Sequence, residues 1–69
     1  MNQFSKTIHI HMAYQDISAD QMAKCFGIAK RTWQYWLANP ETSFTISRLQ
    51  TLSRLLSLSD EELLRLVKQ

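Results

Sequence analysis

Few residues in this chain have types suited to chemistry, and spacing disqualifies most of them. His9 and His11 stand two positions apart and could ligate a metal from one face of a strand, yet neither a third ligand nor a Cys-x-x-Cys pair lies nearby. Packing or solvent exposure is the expected role of both, and no metal, cofactor or small-molecule ligand is expected. Cys25 is the only cysteine, and with no histidine beside it an inert thiol is expected. Asp60, Glu61 and Glu62 are consecutive at what reads as a helix start, where carboxylates complement the helix dipole rather than form an acid–base pair. With no nucleophile placed against either histidine, the chain is not expected to be an enzyme. Trp33, Trp36 and Phe26 could stack on bases, but their spacing fits an inward-facing stripe better. Positive charge remains. From Lys24 to Arg48 the chain carries Lys24, Lys30, Arg31 and Arg48 against Glu41 alone, whereas Ser59 to Gln69 carries Arg65 and Lys68 against three carboxylates. A basic middle and a mildly acidic tail describe two surfaces with different roles, the first suited to an anionic partner.

The scaffold that must position these residues is small. Sixty-nine residues with a net charge of +2 suit a single domain spanning residues 1–69. At about 25 cal/mol per Å² of buried apolar surface, a core of this size barely offsets the entropy of ordering its chain, so a partner subunit is expected. A single cysteine excludes an intrachain disulfide framework. Residues 1–14 lack the apolar run of a signal peptide, and no stretch approaches the ~20 apolar residues of a membrane span. The chain therefore reads as cytoplasmic, with no membrane partner.

Ser18-Ala19-Asp20-Gln21 forms a capping box that starts a helix at Ala19, and Gly27 stops that helix. Lys30 to Leu37 reads as a second helix with Trp33, Trp36 and Leu37 inward, ended by Asn39-Pro40. Thr45 caps a third helix carrying Ile46, Leu49, Leu52, Leu55 and Leu56. Ser59-Asp60-Glu61-Glu62 opens a last helix with Leu63, Leu64, Leu66 and Val67. Order is expected throughout except near residues 39–43. Residues 7–12 alternate apolar and polar like a half-buried strand, while Phe4, Ile8 and Met12 fit a helical stripe. Helix is preferred, because a lone strand has no sheet to join unless a second subunit supplies one.

Two short helices joined through one glycine, with small Ala23 in the first and aromatics in the second, set up a tight crossing. Met22, Phe26, Ile28, Trp33 and Trp36 complete a shared apolar wedge, which is helix-turn-helix geometry over about residues 18–38. The stretch SADQMAKCFGIAKRTWQYWLAN, residues 18–39, resembles the helix-turn-helix of the Cro/C1-type family, also called XRE-like or lambda-repressor-like. The likeness extends through TISRLQTLSRLLSLSDEELL, residues 45–64, which is similar to that family's fourth and fifth helices. His11 stands at a usual Leu position, Ala19 where the family often has Gln, and Ala29 at the usual Ser cap.

The resemblance implies an all-α bundle of four to five short helices whose second motif helix enters the major groove of double-stranded DNA. In that frame Lys30, Arg31, Gln34 and Tyr35 would read bases: Arg31 through two hydrogen bonds to guanine, Gln34 through a bidentate pair with adenine. Ser18, Thr32, Asn39, Ser43, Thr45 and Arg48 would hold the DNA backbone. Leu63, Leu64, Leu66 and Val67 exceed what one face can bury, so a homodimer through the last helix is expected, with Leu63, Leu64, Leu66 and Val67 at its interface. The implied function is a transcriptional regulator, a dimeric repressor of phage or mobile-element type acting on an inverted-repeat operator. The alternative is an antitoxin-like interaction module that docks a partner through its last helix; a third reading is a monomeric architectural DNA binder.

Overall fold

A computed structural model of the chain describes residues 2–68. Those residues form helices and no strand: α1 (Gln3–Gln15), α2 (Ala19–Phe26), α3 (Lys30–Ala38), α4 (Pro40–Ser43), α5 (Ile46–Leu56) and α6 (Asp60–Val67). The all-α expectation therefore holds, with one helix more than the sequence indicated.

Residues 7–12 lie inside α1, not in a strand. Phe4, Ile8 and Met12 form one buried stripe, while Ile10, which a strand would have placed on the same face as Ile8, is 55% exposed. The Asn2 side chain fixes where α1 begins. Its Oδ1 accepts from the Ser5 N–H at 2.7 Å while its Nδ2 donates to the Leu37 carbonyl at 3.1 Å. One amide thus satisfies a free donor of α1 and a free acceptor of α3, joining two helix ends.

Residues 39–43 are ordered, contrary to expectation. Pro40 sits in the first turn of α4, where its fixed φ suits a helix and its missing N–H is no loss. The buried ring of Phe44 then anchors this turn against Phe4, Trp33 and Trp36 at centroid distances of 5.2, 6.2 and 5.6 Å.

Three connections share one backbone plan. Asp16, Gly27 and Ser57 adopt left-handed conformations with φ of 55°, 67° and 57°. The next residue, Ile17, Ile28 or Leu58, donates its N–H back to the carbonyl of Met12, Ala23 or Ser53 at 2.9, 3.0 and 3.1 Å. Each is the helix-ending motif in which a left-handed residue lets the following apolar residue turn into the core. Ser18, Ala29 and Ser59 come next, all extended, as the caps of α2, α3 and α6. The core that these turns enclose includes Met22, Trp33, Leu52, Leu56 and Leu63, each fully buried.

Candidate nucleic-acid interface

The site is built on α2 and α3. The capping box at the start of α2 is complete: Ser18 Oγ accepts from the Gln21 N–H at 3.2 Å and Gln21 Oε1 accepts from the Ser18 N–H at 2.8 Å. Ala23 is buried, leaving room for the close approach of α3. The inner face of α3 is held by an aromatic cluster. Phe26 stacks on Trp33 at 5.7 Å and meets Trp36 edge-on at 5.5 Å. Such pairs add about 0.5–1.5 kcal/mol each beyond their burial, so α3 is gripped along its length. Trp33 is fully buried with its ring against those of Phe26 and Phe44 at 5.7 and 6.2 Å, so packing places it.

Trp33, Trp36 and Leu37 are buried, whereas Lys30, Arg31, Gln34 and Tyr35 are exposed. At about 100° per residue, those four span about 140° of the helix surface on the side away from the core. A helix immobilised on one side and carrying two cations, a carboxamide and a phenol on the other can present hydrogen-bond donors and acceptors to a groove. Its N-terminus has the same tendency. Ala29 offers no side-chain cap and the first turn of α3 holds no acid, whereas α2 and α6 each begin with a serine cap and at least one carboxylate. The free N–H groups and the dipole of α3 are thus left positive beside Lys30 and Arg31.

The expected backbone-contact residues divide into two groups. Ser18, Thr32, Asn39 and Thr45 are exposed. The hydroxyl of Ser18 is engaged in its cap, that of Thr45 accepts from the Arg48 N–H at 3.2 Å, and the Asn39 amide donates to the Tyr35 carbonyl at 3.2 Å. Ser43 and Arg48 are placed otherwise. Ser43, the last residue of α4, is buried, so its side chain does not face solvent. Arg48 is half-buried, its guanidinium 4.2 Å from the centroid of the Trp36 ring and donating to the Ser43 carbonyl at 2.6 Å. It braces α5 and the α4 turn against the back of α3, a tertiary role that local sequence does not reveal.

The residues expected at a dimer interface divide as well. Leu63 and Val67 are buried in the chain's own core and Leu66 packs partly against it, which leaves Leu64, 37% exposed, as the principal apolar side chain that α6 offers outward. The surplus inferred from composition is therefore smaller than four residues. Sequence reasoning also missed a neighbour of the site. His9, on α1, lines a groove together with Gln34 of α3, a pairing that nothing in the local sequence signals. Cys25 is exposed on α2. His9 and His11, two apart on a helix, point in nearly opposite directions and share no face.

A glycine-turned helix pair, a gripped inner face and a cationic outer face define a helix-turn-helix protein. The model of the Cro/C1-type helix-turn-helix DNA-binding domain matches residues 7–69, and the chain belongs to that family. Comparison with curated proteins finds no match, and comparison with solved structures finds none either. Among the described residues no helix is long and apolar enough to cross a membrane.

Proposed function

We propose that this protein is a sequence-specific transcriptional regulator that binds an inverted-repeat operator as a homodimer and represses by occluding a promoter. The observation that carries the reading is the outer face of α3: Lys30, Arg31, Gln34 and Tyr35 exposed together on a helix whose opposite face is packed into an aromatic cluster. Arg31 suits guanine and Gln34 suits adenine, with Lys30 and Tyr35 on the flanking bases or phosphates. Thr32, Ser18, Asn39 and Thr45 lie exposed around that helix as backbone contacts, which set orientation without reading sequence.

Size supports the dimer. The longest principal extent of the described residues is 25 Å. One copy therefore falls short of the roughly 34 Å between successive major-groove faces, while two copies related by a twofold axis can fill both. Leu64 and the exposed part of Leu66 on α6 are the apolar surface offered for that contact. In this reading residues 1–69 act as one DNA-binding unit.

Selection from a random-sequence duplex library tests the proposal. Convergence on two inverted half-sites about one helical turn apart is expected, with affinity that falls steeply as salt rises. Lys30→Ala combined with Arg31→Ala should abolish preference for the selected site, a loss of about 2–6 kcal/mol of discrimination, while leaving the melting temperature nearly unchanged. No enrichment from the library, or full selectivity in the double variant, would overturn the assignment.

A further inference from the structure

The helix-turn-helix does not stand alone at its outward rim. Asn2 at the start of α1 holds the Leu37 carbonyl near the end of α3, and farther along α1 His9 lies across a groove from Gln34. This open groove, about 490 Å³, is lined by Asn2, Ser5, His9, Gln34, Leu37 and Ala38. Both His9 and Gln34 are exposed, so α1 flanks the edge of the face assigned to base reading.

An α-helix with its side chains is about 10–12 Å across and the major groove about 12 Å wide, so a reading helix fills the groove. Whatever stands beside that helix at its outward rim meets the phosphates of the groove wall. On the Gln34 side, His9 occupies that position. Its electrostatic surroundings suit an anion. The groove lining holds no acid, and α5 and α6 contribute nothing to it. Lys6 precedes His9 by three residues on α1, and Lys30 precedes Gln34 by one helical turn on α3. Glu41 lines an adjoining groove that shares Asn2 and Ala38 with this one but not His9 or Gln34.

We propose that His9 is a DNA-backbone contact supplied from outside the helix-turn-helix: its imidazole donates a hydrogen bond to a phosphate oxygen on the strand beside Gln34. This rests on the reading of α3 as the helix in the major groove. His11 supplies an internal control. It lies on the other side of α1, half-buried, with its ring 6.2 Å from that of Tyr14.

The test is fluorescence anisotropy with the duplex recovered by selection, at several salt concentrations. His9→Ala should weaken binding about three- to tenfold, His9→Lys should bind at least as tightly as the unaltered protein with a salt slope steeper by about one, and His11→Ala should behave as the unaltered protein. Because His9 is exposed, unchanged thermal melts are expected for its variants. A His9→Ala variant that binds as tightly as the unaltered protein would overturn the proposal while leaving α3 as the reading helix. Failure of the unaltered protein to bind any selected duplex would instead overturn the reading of α3 on which the proposal rests.

Discussion

The connections from α2 to α3 and from α5 to α6 follow the same path with different chemistry. Each has a left-handed residue, then an apolar residue whose N–H closes the preceding helix, then an extended cap residue. The α5–α6 connection is reinforced after its left-handed residue: the Ser53 hydroxyl donates to the Leu58 carbonyl, Ser59 Oγ accepts from the Glu62 N–H at 3.1 Å, and Asp60, Glu61 and Glu62 complement the dipole. The α2–α3 connection lacks this reinforcement. Ala29 makes no cap, and Lys30 and Arg31 place positive charge at the positive end of the helix. Since the backbone at Ala29, with φ −75° and ψ 153°, matches that at Ser59, with φ −79° and ψ 150°, a serine would fit there without rearrangement. The α6 start is arranged for stability. The α3 start forgoes stability in a way that suits an anionic partner, and packing of Trp33, Trp36 and Leu37 offsets the loss.

Substitutions at matched positions can break that comparison. The largest difference belongs to the left-handed residues. A Cβ added at Gly27 meets no atom within 4 Å, so Gly27→Ala is disfavoured through its φ of +67° alone. A loss of about 1–2 kcal/mol is expected, read as a fall in melting temperature, whereas Ser57→Gly should raise it. A lower melting temperature for Ser57→Gly would mean that the two turns are not equivalent. The caps come next. Ala29→Ser should stabilise and Ser59→Ala destabilise, each by about 1 kcal/mol in urea unfolding. Ala29→Asp sharpens the contrast further, because it should raise stability while weakening DNA binding. A gain in both would show that the uncapped end of α3 is not an anion-facing feature.

Legibility of the sequence followed the range of the interactions. Ser18, Thr45 and Ser59 cap helices through bonds to residues three positions on, and Gly27 ends α2 through its own φ, so those boundaries could be read from a few neighbouring residues. The one-turn α4 could not, since its order derives from Phe44 packing on Phe4, Trp33 and Trp36, residues distant in the chain. Residues 7–12 were ambiguous because Ile10 completes a strand pattern without taking part in the core. At the site, the exposure of Lys30, Arg31, Gln34 and Tyr35 followed from the helical period that buries Trp33 and Trp36. Arg48 on Trp36, Ser43 buried at the end of α4, Leu63 and Val67 in the core, and His9 beside Gln34 each depend on tertiary placement, which periodicity does not encode.

The two helix starts can be compared in a single titration of the ¹⁵N-labelled protein with the selected duplex, followed by amide chemical shifts. If α3 is the helix that meets DNA, the largest shifts fall on residues 29–35 while residues 59–62 at the start of α6 stay near their free positions. Unmoved amides at residues 29–35 in a saturated complex, or larger shifts at residues 59–62, would contradict it.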